Sequence, residues 1–302
     1  MPQDRILLGV ALMLGFAVTA PIMDSFAKLA SDTIPVGQIV AARFVLQVVV
    51  LLPLAWAAGE LFRPGLRDTG LHLLRALALL VATTAFFAAL KTLPLAEAIA
   101  IFFVEPFILT LLSAVLLGET VGWRRVLACM AGFSGALLVI RPSFAAFGTA
   151  ALLPLCTAFC FACYMVLTRR IARRVPPVAL QGWTALAACM LVLPLLVLFQ
   201  GSGVAGLDPV TPAGRDWGLL LGVGVAATVS HLFLSAALRF APASTIAPLQ
   251  YMEIVTATIL GYVLFGDLFD AQALLGVAII TGSGLYVFLR ERKLSRAPVP
   301  PP

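Results

Sequence analysis

Two carboxylates sit in stretches that are otherwise almost wholly apolar. Glu105 interrupts IFFVEPFILTLL (Ile101 to Leu112), and Glu253 interrupts LQYMEIVTATIL (Leu249 to Leu260). A charge at the centre of a membrane-spanning helix costs about 2.5–3.5 kcal/mol on insertion scales. Ionisable groups kept at such depth are by default candidates for ion, proton or substrate sites. A carboxyl in hydrocarbon can exchange a proton or pair with an incoming cation. Its structural alternative is to bond backbone freed near Pro106, or a neighbouring helix.

Other polar side chains in apolar surroundings extend the set. Asp24 and Lys28 are spaced i, i+4, so they share a helix face and can neutralise each other. Alternatively, Asp24 faces a cavity while Lys28 snorkels to the surface. Arg43 reads as the one clearly intramembrane arginine, and its expected role is structural counter-ion to a carboxylate. His231 is deep enough to shuttle protons, with hydrogen-bonded packing as the alternative. Tyr164, Gln250 and Tyr251 are expected to donate hydrogen bonds into a cavity walled by Phe86, Phe87, Phe102 and Phe103. The candidates for substrate binding or proton coupling are thus Glu105, Glu253, Asp24, Tyr164, Tyr251, Gln250, His231 and Phe102, with Arg43 and Lys28 as counter-ions. Glu97 follows Pro94 in a first helical turn, where a carboxylate favours the positive dipole end.

Three patterns imitate other chemistries. Cys156, Cys160 and Cys163 share a helical face but have no histidine or carboxylate beside them, so packing is the simpler reading and no metal site is expected. GVGVAA at 222–227 resembles a dinucleotide fingerprint, yet it lies inside an apolar span where small residues serve helix contacts. The Arg169–Arg174 cluster can meet anionic lipid headgroups, and more simply fixes topology. No cofactor motif is present.

These groups need elements to hold them, and composition names the solvent. Hydrophobic residues make up 62% of the 302 and charged ones 11%, too few charges to cover a water-facing surface. Apolar runs near 20 residues recur throughout, the length of a membrane-crossing helix. Punctuation by Pro, Gly and charge gives ten spans, at 6–29, 35–56, 70–90, 96–117, 122–140, 149–168, 178–199, 216–238, 244–264 and 271–289. The fold expected is an all-α membrane protein. Fifteen basic residues, from Arg5 and Arg63 to Lys293 and Arg296, fall on one side, against Lys28, Lys91, Arg141 and Arg215 on the other. The positive side is cytoplasmic, so both termini are too. Basic residues at span ends serve topology and not nucleic-acid binding.

Setting residue n beside n+148 aligns KTLPLAEAIAIFFVEPFILTLLSAVLLGET with RFAPASTIAPLQYMEIVTATILGYVLFGDL without a gap. Pro94 meets Pro242, Glu105 meets Glu253, and Gly118 meets Gly266. Span 4 therefore repeats as span 9. Five spans per half is odd, so the second half enters the membrane from the opposite face: a five-plus-five inverted repeat. The expected units are 1–142, 143–290 and a cytoplasmic tail, 291–302.

The stretch PLAEAIAIFFVEPFILTLLSAVLLGETVGWRR, followed by AGFSGALLVIRP, resembles EamA-type repeats, and the second copy ending in LFGD resembles them more weakly. The whole chain resembles the drug/metabolite transporter superfamily. MDSFAKLA with GQIVAARF is similar to the bacterial branch that includes S-adenosylmethionine and riboflavin uptake proteins. The resemblance implies a central cavity lined chiefly by spans 1, 3, 4, 6, 8 and 9. It also implies secondary transport of a small organic metabolite across a bacterial inner membrane by alternating access. Two mid-membrane carboxylates favour a cationic or zwitterionic substrate, with protons as a coupling ion. The competing class is an intramembrane enzyme acting on lipid, for which no nucleophile motif or metal-ligand spacing is found.

The topology is directly testable. Tags on the two termini are expected to report the cytoplasm, and a cysteine placed beside Asp208 to react with an impermeant thiol reagent from outside. Termini on opposite sides would reject the inverted repeat.

Overall fold

The computed structural model describes residues 5–61, 66–119, 122–139 and 148–266, and scattered positions between 271 and 289. Among these, eight helical segments are long and apolar enough to cross a membrane. They are Ile6–Ala30, Val36–Ala57, Thr69–Leu90, Glu97–Leu117, Gly148–Ala172, Pro177–Leu198, Gly214–Phe240 and Ala243–Phe265, which form spans 1–4 and 6–9. Span 5 is the shorter helix Trp123–Val139. The described positions of span 10 are helical. The tail at 291–302 lies outside the described residues.

Spans 4 and 9, expected to be continuous, are broken. Span 4 runs as Leu95–Phe102, an irregular Phe103–Val104 step, and Glu105–Leu117. Span 9 runs as Ala243–Ile246, a 3₁₀ segment Ala247–Met252, then Glu253–Leu260 and a π-helical turn Gly261–Phe265. Proline is the physical cause. Pro106 and Pro248 have no N–H to give, and a helical proline ring crowds the carbonyl four residues back. Each glutamate is consequently the first residue of a second half-helix, close to freed backbone.

The 148-residue register survives into conformation. Pro94 and Pro242 flank the starts of spans 4 and 9 with nearly equal dihedrals, φ −55°, ψ 147° and φ −58°, ψ 144°. Gly118 and Gly266 end the two spans in the left-handed region, at φ +65° and +71°, where a side chain would be strained. Helix pairing repeats too. Span 1 packs along span 8 as span 3 packs along span 6, and span 2 lies against span 7. Exchanging the halves maps the first two pairings onto each other and the third onto itself. Phe103 and Tyr251, equivalent in the register, meet edge-to-face at 5.3 Å between centroids, so the pseudo-two-fold axis passes between them.

Polar links seal both ends of the bundle in related ways. At one end, Lys28 Nζ at the close of span 1 donates to Leu93 O at 2.8 Å and lies 5.3 Å over the Phe265 ring at the close of span 9. At the other end, Arg169 at the close of span 6 donates to Leu238 O at 2.8 Å and pairs with Glu119, beyond span 4, at 3.3 Å. Glu119 also accepts the Ala243 and Ser244 N–H groups, at 3.1 and 3.0 Å, where span 9 begins. Swapping span 1 for 6, 9 for 4 and 3 for 8 turns one latch into the other. Links 1–2 and 7–8 also meet, through Gly37 N to Gly206 O at 2.8 Å and Thr33 Oγ1 to Asp216 Oδ1 at 2.7 Å.

Small residues set the close crossings. A Cβ on Gly222 would lie 2.8 Å from the Phe26 ring, and one on Gly224 would lie 2.8 Å from Leu46 Cβ. The apparent nucleotide motif is therefore where span 8 closes on spans 1 and 2. Gly132 of span 5 is tighter, with a built Cβ only 2.4 Å from the Tyr251 ring. That ring is tethered by its hydroxyl to Cys129 O at 3.1 Å. Gly132→Ala is expected to cost about 1–3 kcal/mol through overpacking. Gly70→Ala, at a helical site with nothing within 4 Å, should be neutral or slightly stabilising in detergent thermal unfolding.

Candidate functional site: a two-poled cavity between the repeats

A cavity of about 50 Å³ lies between the halves, and its lining residues are buried throughout. Spans 1, 3, 4, 6, 8 and 9 contribute to it, and span 2 adds Arg43. Of the sequence-predicted residues, Asp24, Glu253, His231, Phe102 and Arg43 line this space together.

Asp24 lies three residues past Pro21, a proline inside the first helix. Lys28 shares its face, but among the described residues no ion pair joins them. Of the two readings left open, the described contacts follow the second: Lys28 runs toward the helix end and Leu93 O while Asp24 lines the cavity. Asp24 Oδ1 and Glu253 Oε1 are buried without a hydrogen-bond partner.

Arg43 makes no direct salt bridge to a carboxyl among the described residues, although Asp24 lies near enough to attract it. Its Nη1 donates to Thr83 Oγ1 at 2.6 Å and its Nη2 lies 2.6 Å from His231 Nε2. Its Nε is buried without a partner. Both nearest partners are neutral acceptors, since a guanidinium has only donors to offer. His231 must then accept at Nε2 and carry its proton on Nδ1, which faces the Tyr164 hydroxyl at 3.1 Å.

Tyr164 leads to an arginine that the sequence reading assigned to the membrane edge. Arg75 is wholly buried in span 3. Its Nη2 donates to Tyr164 at 2.9 Å, Gln181 at 3.0 Å and Ser235 at 3.3 Å. Nε donates to Thr168 at 2.7 Å, and Nη1 bonds Thr184 and the Leu180 carbonyl. The guanidinium also lies 4.5 Å from the Tyr164 ring centroid. Tyr164 gives its own hydroxyl proton to Gln181 Oε1 at 3.2 Å. Five hydroxyls and amides from spans 6, 7 and 8 thus converge on one cation. Hydropathy alone misplaced Arg75; the signal was its place as the sixth residue of the span read from 70, one turn after His72. Without it the charge count is fourteen basic residues against four.

Tyr164, which joins His231 to Arg75, does not line the cavity, and three further predicted cavity residues lie behind the wall. Gln250 Nε2 donates to Glu105 Oε2 at 2.5 Å, so the two helix breaks are bonded to each other across the pseudo-symmetry axis. Glu105 is fully buried there and does not line the cavity. Tyr251, tied to Cys129, also lies outside the lining, and Phe103 packs against it. Gln250 and Tyr251 belong to the 3₁₀ segment before Glu253, whereas Glu253, which begins the second half-helix of span 9, does line the cavity.

The walls between the poles are aromatic. Phe102 meets Phe86 at 5.9 Å and Phe161 at 5.7 Å, and Phe16 meets Phe161 at 6.2 Å, near His231 at 6.1 Å.

The profile of the EamA-like transporter family matches residues 7–141 and again 148–289. The chain belongs to the EamA-like transporter family. Its two matched stretches are the two halves described above. It is 28% identical over 295 residues to a riboflavin transporter of Vibrio cholerae, covering 95% of each chain. It is 24% identical over 285 residues to an S-adenosylmethionine uptake transporter of Rickettsia prowazekii, covering 94% of each. It is 27% identical over 283 residues to a pseudopaline exporter of Pseudomonas aeruginosa, covering 93% of this chain and 95% of that one. A solved crystal structure matches the fold with a TM-score of 0.74 at 23% identity, covering 96% of this chain and 98% of the other. Among EamA-like proteins, then, uptake and export of quite different metabolites are both represented.

Tyr164→Phe removes the hydroxyl that joins Arg75, Gln181 and His231. It is expected to destabilise the purified protein by about 1–3 kcal/mol, the cost of leaving buried donors unsatisfied, read as a lowered melting temperature. An unchanged melting point would mean that the network re-forms without it.

Proposed function

We propose that this protein is a secondary transporter that moves a small organic metabolite, cationic or zwitterionic, across a bacterial inner membrane by alternating access. The observation that carries the reading is the pair of latches. One basic residue closes each end, Lys28 at the end of span 1 and Arg169 at the end of span 6, and inverted symmetry relates their partners. Two barriers built from equivalent contacts have similar strength, so each can open while the other holds. A buried site between them is then reached from either side in turn. Both termini are assigned to the cytoplasm.

Asp24 and Glu253 are the substrate and proton ligands in this reading, because they line the cavity with unpartnered oxygens. Glu105 acts on the hinge through Gln250 instead. Protein in liposomes should show counterflow when a screened metabolite is the solute. Glu253→Gln or Asp24→Asn should reduce pH-gradient-driven accumulation at least about tenfold, the scale of one lost charge-assisted hydrogen bond, with normal membrane insertion. Wild-type accumulation by both variants over a wide pH range would remove these carboxyls from the mechanism.

The latch has its own test. In a cysteine-free background, Glu119→Gln is expected to raise thiol labelling of a cysteine placed at Thr245, a buried position beside the latch. Labelling that stays at the parental rate would mean the Glu119 contacts do not close that end.

A further inference from the structure

The cavity holds opposite charges that do not touch. Asp24 and Glu253, from spans 1 and 9, present buried oxygens without hydrogen-bond partners, and Arg43 from span 2 presents a buried Nε in the same condition. Among the described residues no ion pair links Arg43 to either carboxyl. Each of its two Nη groups already bonds one neighbour, Thr83 or His231, which fixes the guanidinium plane and leaves Nε as its one nitrogen without a partner. Between and around these poles stand the faces and edges of Phe16, Phe102 and Phe161.

Each possible occupant leaves a different residue of unmet polarity. A simple cation would satisfy the acids and leave Arg43 Nε buried and unpaired. A simple anion would do the reverse and face two carboxyls. A buried donor or charge without a partner is the expensive outcome in a low-dielectric site. A molecule carrying both charges meets both poles and adds no net charge to the bundle. Aromatic rings add attraction for the cationic end, which a quaternary or substituted ammonium fills best. The small volume of the cavity, about 50 Å³, restricts the occupant to a compact skeleton.

We infer that the cavity recognises a compact organic zwitterion, its ammonium held by Asp24 and Glu253 within the phenylalanine walls and its carboxylate held by Arg43. This deepens the transport reading of the same cavity and rests on it. It chooses the zwitterion over the simple cation and assigns Arg43 to the ligand instead of to a structural ion pair.

The test is equilibrium binding to full-length protein in lipid nanodiscs, which needs no flux. The probes are glycine betaine and γ-butyrobetaine, with two near-isosteres that each lack one charge. Choline replaces the carboxylate by a hydroxymethyl group, and 3,3-dimethylbutyrate replaces the trimethylammonium by tert-butyl. Wild-type protein is expected to bind at least one betaine about tenfold more tightly than either single-charge analogue, since choline lacks the charge-assisted hydrogen bond to Arg43 and 3,3-dimethylbutyrate lacks the cationic charge that the carboxyls and rings attract. Arg43→Gln should bring the betaine-to-choline ratio to about one, and Asp24→Asn should do the same to the betaine-to-dimethylbutyrate ratio. Where a variant fails to fold, the wild-type ranking decides alone. Choline bound as tightly as the betaines, or no binding by any probe, overturns the inference. Betaine binding without counterflow of any solute overturns the transport reading and leaves the recognition standing. Counterflow of other metabolites with choline ranked at or above betaine does the opposite.

Discussion

Every charged or hydrogen-bonding group inside this bundle must find its partner inside it, because hydrocarbon offers none. That constraint accounts for most of the arrangement. Arg75 gathers side chains from three later spans, Arg43 is pinned by Thr83 and His231, and Glu105 reaches Gln250 across the symmetry axis. None of these contacts is a direct carboxylate–guanidinium pair. Among the described residues, Asp24, Glu105 and Glu253 make no direct pair with Arg43 or Arg75, and the cavity lies where Asp24, Glu253 and Arg43 face each other. A bundle that paired them internally would have satisfied the same constraint without leaving polar atoms available for a solute.

Symmetry then decides how the site is reached. The helix pairings and the two end latches interconvert when the halves are exchanged, and the Phe103–Tyr251 contact marks the axis. Exact equivalence is not required: among the described contacts, Lys28 holds a carbonyl at one end, and Arg169 with Glu119 caps span 9 at the other.

Much of this was legible in the residues. Apolar run lengths gave the spans, and the gap-free register pointed to Glu105, Glu253 and the glycines that end spans 4 and 9. The helix breaks were legible only in part. Pro106 was visible, but whether a proline kinks a span or divides it depends on the neighbours that receive the freed backbone. Which side of a helix faces inward was not legible in all-apolar stretches, since no polar stripe marks it. Tyr251 and Gln250 were therefore expected in the cavity that Phe102 lines. The i, i+4 spacing of Asp24 and Lys28 permitted a pair and could not decide between that and a cavity-facing Asp24, because proximity in sequence does not show where the longer chain runs. Arg75 was lost because run-length reading treats an arginine near a span end as solvated, while its acceptors lie 89 to 160 residues away in sequence.

That separation has a consequence for biogenesis. When span 3 leaves the ribosome, none of the groups that satisfy Arg75 has been made. Thr168 lies 93 residues downstream and Ser235 160, so at roughly 5–20 residues per second the guanidinium waits roughly 5–30 s for its acceptors. During that interval span 3 must be retained at the translocation site, held by another protein, or rest with Arg75 in the headgroup region. The last option places the helix about one turn out of its final depth. Assembly of this bundle would then include a vertical shift of span 3 once the second half arrives, which makes the membrane insertase a participant in the fold as well as the route into the bilayer.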